Sequence, residues 1–157
     1  MVEVGESAPA FRLAGIDGDG KQREFALEDY RGKTVVLYFY PRDNTPGCTR
    51  EACDFRDNVS RVKKAGAHVL GVSPDSIDAH GKFREKQSLN FPLLSDPERK
   101  VAESYGAFGE KKSYGKVTKG IIRSTFIIGP DGRVEKLWRP VKVDGHVDAV
   151  LEALKGR

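Results

Sequence analysis

The stretch that decides the predicted fold is TVVLYFY, Thr34–Tyr40, followed directly by PRDNTPGCTREAC, Pro41–Cys53. The first part is a continuous run of β-branched and aromatic residues, which is typical of a strand buried on both faces. A second run of this kind is AHVLGVS, Ala67–Ser73. Between the runs, apolar residues recur at steps of three and four: Ala52, Phe55, Val59 and Val62. This spacing predicts a helix with one apolar face, closed by Gly66, and hence a βαβ unit with two parallel strands.

The rest of the chain supplies further helices and antiparallel strands. Helices are predicted over Ser76–Ser88, with Asp75 and Ser76 as its capping pair, over Pro97–Tyr105, with Pro97 as its first residue, and through Val147, Val150, Leu151 and Leu154. Strands are predicted at Ser124–Ile128 and Arg133–Trp138 around GPDG, and at Phe11–Leu13 and Glu24–Leu27 around GIDGDGKQ. This order favours one thioredoxin-like α/β domain over residues 1–157: a central mixed sheet flanked by helices, with an N-terminal β-hairpin extension.

Composition excludes several classes of protein. With 157 residues, 38% of them hydrophobic, the chain is suited to one folded domain rather than to disorder. No stretch approaches the roughly 20 apolar residues of a membrane span, so no membrane partner is expected. The first residues, MVEVGESAPAF, lack the basic and apolar regions of a secretory signal, and we expect a cytoplasmic location.

The net charge of +4 comes from basic residues that are mostly interleaved with acidic ones. The exception is Glu110–Arg123, EKKSYGKVTKGIIR, which carries five Lys or Arg residues. No nucleic-acid-binding motif accompanies this stretch, so nucleic acid is not expected as a partner. A basic loop beside an anionic reaction centre is the better interpretation.

Both cysteines lie in one short segment, at the junction between the first strand and its helix. We expect Cys48 in or near the first helical turn, where unpaired backbone amides and the helix dipole stabilise a thiolate, the nucleophilic form of cysteine. The Thr45 hydroxyl can reach a group bound beside that sulfur. Pro41 and Pro46 restrict the loop and keep the backbone donors of the site from collapsing onto one another.

The spacing from Cys48 to Cys53 has a mechanical consequence. On an ideal helix, Cα atoms five residues apart are separated by ~8.7 Å and by ~140° around the axis. A disulfide needs Cα atoms about 4.4–6.8 Å apart. If the two cysteines bridge, the first turns of the helix must therefore unwind, and oxidation is linked to local unfolding.

Two other interpretations of the cysteines are weaker. They could be ordinary small buried residues, although two of them at one strand-to-helix junction argue against this. A zinc site would need a second pair of ligands with suitable spacing, and the three histidines, His68, His80 and His146, do not supply one. We therefore expect no metal and no cofactor, and we interpret His80 as a helix-surface or packing residue.

The segment FYPRDNTPGCTREACDF resembles the active-site signature of the peroxiredoxins, the alkyl hydroperoxide reductase and thiol-specific antioxidant family. Pro41, Thr45 and Cys48 match the P-x-x-x-T-x-x-C pattern. The C-x₄-C spacing is similar to the peroxiredoxin Q subgroup, also called bacterioferritin comigratory protein. Further similar stretches are GVSPDSIDAHGKF, FPLLSD, YGAFGEKKSYGK, GIIRSTFII and HVDAVLEAL.

The resemblance implies a thiol peroxidase that reduces hydrogen peroxide and organic hydroperoxides to water and alcohols. It assigns the peroxidatic role to Cys48 and the resolving role to Cys53, with an intramolecular disulfide between them. It also implies that Thr45 orients the peroxide and that the Arg123 guanidinium lies beside the peroxidatic sulfur. Pro41 would shield the substrate pocket, which Pro46 and Gly47 would also line. Thioredoxin is the implied reductant, and an internal resolving cysteine favours a monomer.

Two other functions remain open from the sequence. A protein thiol–disulfide oxidoreductase would use the same fold, although C-x₄-C in place of C-x-x-C disfavours it. A non-enzymatic binding module would use the basic loop as its working surface, and its function would survive replacement of Cys48 by Ser.

Overall fold

The computed structural model describes residues 2–113 and 115–156. The strands are β1 Arg12–Ile16, β2 Gln22–Ala26, β3 Thr34–Phe39, β4 Ala67–Ser73, β5 Leu93–Ser95, β6 Phe108–Ser113, β7 Lys116–Ile121, β8 Ser124–Ile128 and β9 Val134–Trp138. The helices are α1 Pro46–Lys64, α2 Ile77–Gln87, α3 Lys100–Ser104 and α4 His146–Lys155, with a 3-10 turn at Leu27–Tyr30.

Seven strands form one mixed sheet in the order β2-β1-β5-β4-β3-β8-β9. The strand β3 lies between β4 and β8, and all six of its residues are buried. It runs parallel to β4, with Thr34 opposite Ala67, and antiparallel to β8. The predicted βαβ unit and the predicted strand pair around GPDG are both confirmed. A strand covered on both faces needs apolar residues at every position, and this explains the unbroken run in β3.

Successive side chains of β3 enter two separate cores. Val36 and Tyr38 face a core that includes residues of α1, α2 and α4, such as Phe55. Leu37 and Phe39 face the opposite core, which includes residues of α3 and of the N-terminal segment. The expectation of helices on both faces of a central sheet is therefore confirmed.

The helix α1 is followed by Gly66 and holds Cys48 in its first turn, as predicted, but it begins at Pro46, which was expected in the loop before the helix. Thr45 is its N-cap in extended conformation, and Pro46 takes the first helical position, where a missing N–H removes no helical hydrogen bond. At the other end Gly66 has a φ of +81°, a left-handed conformation that glycine adopts without steric cost. The predicted N-cap of α2 at Ser76 is also confirmed, since its hydroxyl accepts the Ala79 N–H at 3.1 Å.

The helix α3 is shorter than predicted, and Pro97 is not its first residue. The helix begins at Lys100, after Arg99 in a left-handed conformation with a φ of +61°. The buried carboxylate of Asp96 accepts the N–H groups of Val101 at 3.4 Å and Ala102 at 3.0 Å. Asp96 thus supplies the N-terminal partners of the helix, and Pro97 belongs to the turn before it.

Two strand regions do not follow from the sequence patterns. The strand β5 has only three residues, too few for a periodicity, and it pairs parallel to β4 and antiparallel to β1. The basic stretch forms the two-stranded hairpin β6–β7, apart from the main sheet, with Phe108 opposite Ile121. Tyr114 of this stretch lies outside the described residues.

The N-terminal hairpin is confirmed, with strands longer than predicted. The strands β1 and β2 pair from Arg12 opposite Ala26 to Ile16 opposite Gln22, and β1 joins the hairpin to the main sheet through β5. In the turn, the Asp17 carboxylate accepts the Lys21 N–H at 2.9 Å. Among the described residues, no helix combines the length and apolar composition that crossing a bilayer requires.

Candidate active site

Cys48 is the third residue of α1 and is 2% exposed. The first intrahelical bond is donated by Thr49 to the Thr45 carbonyl, at 2.8 Å. The N–H groups of Gly47 and Cys48 therefore precede the regular bonding of the helix, and Pro46 has no N–H. The sulfur lies where the backbone offers free donors and the positive end of the helix dipole, as the sequence predicts.

Arg123 is the cation beside this sulfur. It lies in the connection between β7 and β8, and its Nη2 donates to Cys48 Sγ at 3.3 Å. Gly47 leaves room for this approach, because a Cβ at that position would stand 3.3 Å from Arg123 Nη2, which is closer than most Cβ contacts. The sequence resemblance predicts this neighbour of Cys48 across 75 residues of chain, and the structure brings the two side chains together.

Glu51 completes an ion pair that sequence reasoning missed. It is fully buried, and its Oε1 accepts a hydrogen bond from Arg123 Nη1 at 2.7 Å. Burial raises the pKa of Glu51 to about 7, although Arg123 opposes the rise. The available signal was its place three residues after Cys48, which puts both side chains on one face of the helix.

Both partners of Arg123, Glu51 and Cys48, stabilise its positive charge. Burial by itself would lower the pKa of Arg123, but Glu51 and the Cys48 sulfur together raise it above its ordinary value. The guanidinium therefore remains a cation in a site where most of its surroundings are protein.

Thr45 and the loop residues lie around the start of α1. The Thr45 hydroxyl donates to the Arg42 carbonyl at 3.0 Å rather than to a group near Cys48. Pro41 is half-buried and Pro46 is exposed. Pro41 lines a surface cleft of about 440 Å³ together with residues of the β6–β7 hairpin, among them Lys111.

The expected basic element beside the thiol is a hairpin strand rather than a loop. Lys111 of β6 is half-buried, and its pKa is lowered by burial and by Arg123, an effect that the Cys48 sulfur opposes. Lys111 lines the same cleft as Pro41, so its ammonium group adds positive charge on that side of the site.

Cys53 lies in the same helix but faces different neighbours. Both cysteines are free thiols, and Cys53 is half-buried. Its Sγ donates to Gln87 Oε1, at the end of α2, at 3.6 Å, whereas Cys48 contacts Arg123. Since α1 is continuous through both cysteines, the two sulfurs are directed toward different elements, as helical spacing predicts.

The described residues contain no group of three or more His, Cys, Asp or Glu side chains arranged to hold a metal ion. Nor does His80 lie on the helix surface, which was one of its two predicted positions. Its side chain is fully buried and hydrogen-bonded on both ring nitrogens, as described below.

Comparison with known proteins gives consistent matches along the chain. A family model described as the AhpC/TSA family matches residues 4–137. Peroxiredoxin Bcp of Bacillus subtilis is 50% identical over 154 residues, covering 98% of this chain and 96% of that protein. Peroxiredoxin Bcp of Escherichia coli is 44% identical with the same coverage of both chains.

Solved structures agree with these sequence matches. Peroxiredoxin Q of Xanthomonas campestris superposes with a TM-score of 0.83 at 46% identity, covering 92% of this chain and 90% of that chain. A reduced 2-Cys peroxiredoxin of Plasmodium vivax superposes with a TM-score of 0.83 at 26% identity, covering 98% of this chain and 94% of that chain.

Proposed function

Because the chain belongs to the AhpC/TSA family of thiol-dependent peroxidases, as a relative of peroxiredoxin Q and Bcp, we propose the following course for its reaction. Cys48 is the peroxidatic residue and Cys53 the resolving residue, and hydrogen peroxide or an organic hydroperoxide is the substrate. The observation that carries the proposal is the 3.3 Å contact from Arg123 Nη2 to Cys48 Sγ at the start of α1.

In the first step the Cys48 thiolate attacks the terminal oxygen of the peroxide. The S–O bond forms as the O–O bond breaks, and the bonding electrons pass to the departing oxygen. That oxygen takes up a proton and leaves as water or an alcohol, while Cys48 becomes a sulfenic acid. Negative charge thus moves from the sulfur to the departing oxygen, and hydrogen-bond donors fixed around that path lower the barrier.

The site contains such donors on more than one side. The Gly47 and Cys48 N–H groups stand at the start of α1, and Arg123 presents its guanidinium to the sulfur. Glu51 holds Arg123 through Nη1, which leaves Nη2 directed at Cys48. Thr45 takes part by turning its hydroxyl from the Arg42 carbonyl toward the peroxide, a rotation about one side-chain bond. Pro41, Pro46 and Gly47 shape the entrance.

In the second step the Cys53 thiol attacks the sulfenic sulfur, forming an intramolecular disulfide and releasing water. The two sulfurs face Arg123 and Gln87 respectively, so α1 must open before they can meet. The same opening exposes the disulfide to a protein dithiol, which reduces it by thiol–disulfide exchange. Thioredoxin is the reductant that the family resemblance implies. The cycle needs neither a metal nor a bound cofactor, and resolution within one chain is compatible with a monomer.

Intact-mass measurement after one equivalent of peroxide tests the two cysteine roles. The natural chain should lose two hydrogens, and Cys53→Ser should gain one oxygen and stop there. Cys48→Ser is the matched control, because it keeps the Cys53 thiol, and it should show neither change in mass. A Cys53→Ser chain that turned over with thioredoxin at the natural rate would contradict the internal disulfide.

A further inference from the structure

A largely buried polar cluster surrounds the loop that leads into α1 and takes no part in the proposed steps. We call it the Asp43 cluster, and it consists of Tyr40, Asp43, Asp75 and His80. The Tyr40 hydroxyl donates to Asp43 Oδ1 at 2.6 Å, and His80 Nδ1 contacts Asp43 Oδ2 at 2.7 Å. The Asp43 N–H donates to Asp75 Oδ2 at 2.8 Å.

The pair formed by Asp43 and His80 is enclosed by protein, and the contacts of His80 define its hydrogen bonds. His80 is fully buried, and Asp43 is 7% exposed. His80 Nε2 faces the Leu94 carbonyl at 2.9 Å, and since a carbonyl only accepts, Nε2 carries a hydrogen. The contact from Nδ1 to Oδ2, at 2.7 Å, is then a hydrogen bond between the imidazole ring and the carboxyl group. A hydrogen-bonded pair of this kind, shielded from water, is stronger than one at the surface.

Asp43 is the residue through which this cluster reaches the thiol. It lies five positions before Cys48, in the connection between β3 and α1. Its side chain and its amide are held from three directions: by Tyr40 directly after β3, by His80 on α2 and by Asp75 in the turn before α2. The loop enters α1 from a fixed point.

The next residue marks where this fixed part ends. Asn44 has a φ of +63°, a left-handed conformation that few residues other than glycine adopt. It is exposed, and it is followed by the Thr45 N-cap. The backbone therefore turns at Asn44, between the anchored Asp43 and the Thr45 N-cap.

From this arrangement we propose that His80 is a positioning residue for Cys48, acting through Asp43. The pair holds the entrance to α1 so that the Cys48 sulfur meets Arg123 during peroxide attack. When α1 opens for disulfide formation, the anchor stays closed and the change of direction occurs at Asn44. The inference rests on the proposed peroxidase function, because it assigns a role in that reaction.

Two substitutions of His80 separate positioning from simple filling of space. In His80→Asn, the side-chain amide nitrogen lies as many bonds from Cβ as Nδ1, so it can still donate to Asp43. In His80→Gln, the amide nitrogen corresponds to Nε2 and can donate only to the Leu94 carbonyl. Both variants bury a polar amide at the same place, so a purely structural role predicts similar losses for both.

The measurement is the second-order rate constant for oxidation of Cys48 by hydrogen peroxide, determined in a Cys53→Ser background. We expect His80→Gln to be slowed at least about tenfold, since misplacement of reacting groups by 1 Å can cost about 100-fold. His80→Asn should stay within about threefold of the parent. Equal rate constants for the two variants, or a slower His80→Asn, would overturn the proposal.

Hydrogen exchange in the natural chain gives a second test, which does not depend on whether a substituted protein folds. After oxidation by one equivalent of peroxide, the Asp43 amide should remain protected, while the amide of Thr49 loses protection as the first turn opens. Equal loss at Asp43 and Thr49 would show that the anchor opens with the helix and would reject the proposal. Failure of the proposed function itself is recognised separately, as a parent chain in which peroxide does not oxidise Cys48.

Discussion

The substitution Arg123→Ala probes the ion pair that joins the thiol to the helix. It removes the Nη2 contact with Cys48 Sγ at 3.3 Å and the Nη1 contact with Glu51 Oε1 at 2.7 Å. In the proposed reaction the first contact affects the rate of peroxide attack, whereas the second affects the stability of the fold. The two effects can be separated, because they involve different partners of one guanidinium.

The two contacts give the expected size of the losses in oxidation rate and in unfolding free energy. A hydrogen bond to a charged group contributes about 1.5–3 kcal/mol, which corresponds to a loss of roughly 10- to 150-fold in the rate constant for Cys48 oxidation. For stability, removing one partner of a buried ion pair commonly costs about 3–5 kcal/mol. The loss here should be nearer 1–3 kcal/mol at pH 7, because the pKa of Glu51 is already about 7 and its neutral form is accessible.

The assay combines stopped-flow oxidation in a Cys53→Ser background with urea unfolding of each variant. The double variant Arg123→Ala, Glu51→Gln is the control, since it removes the buried carboxyl that Arg123→Ala leaves unpaired. We expect the double variant to recover most of the lost unfolding free energy and none of the lost oxidation rate. An oxidation rate within about threefold of the parent in Arg123→Ala would refute the role of the guanidinium at the sulfur.

Three further predictions test the surroundings of this pair. Because the pKa of Glu51 is raised from 4.5 to about 7, the folded state keeps a proton that the unfolded chain loses, and the stability of the natural chain falls as pH rises through that interval. The free energy of unfolding, measured in urea at pH 5 and pH 8, should therefore rise for Glu51→Gln relative to the natural chain by up to about 3 kcal/mol at the higher pH. The same difference between the two proteins at both pH values would contradict a buried carboxyl with a raised pKa. Gly47→Ala places a Cβ 3.3 Å from Arg123 Nη2 and should slow Cys48 oxidation severalfold, whereas Gly81→Ala, where a Cβ meets nothing within 4 Å, should not; equal rates would dismiss the close approach. Asp96→Ala removes the carboxylate that accepts the first amides of α3 and should lower the unfolding free energy by about 0.5–2 kcal/mol, which a chemical denaturation curve unchanged in midpoint would disprove.

The parts of the fold that could be predicted are those with a strong local signal. The run Thr34–Tyr40 predicted β3 because burial on both faces demands apolar residues throughout. The apolar spacing from Ala52 to Val62 predicted α1 because one helix face must cover the sheet. The three residues of β5 carry no such signal, since their strand character comes from pairing with β4 and β1.

The candidate site divides in the same way. Position at a strand-to-helix junction was enough to predict Cys48 at the start of α1, and resemblance to a known signature was needed to predict Arg123 beside it. Glu51 was missed because a glutamate in a helix with many charged residues is normally on its solvent side. Only the folded chain shows that this carboxyl is buried against a cation brought from 72 residues away.

In the proposed cycle, the separate surroundings of the two sulfurs make disulfide formation compete with further oxidation of Cys48. Until α1 opens, the sulfenic acid on Cys48 faces Arg123, and Cys53 remains beside Gln87. A second peroxide molecule arriving in that interval would carry Cys48 on to the sulfinic acid, which thioredoxin does not reverse. The rate at which α1 opens therefore sets the peroxide concentration that the protein tolerates. Substitutions that stiffen the first turns of α1 would make the protein harder to unfold and easier to inactivate.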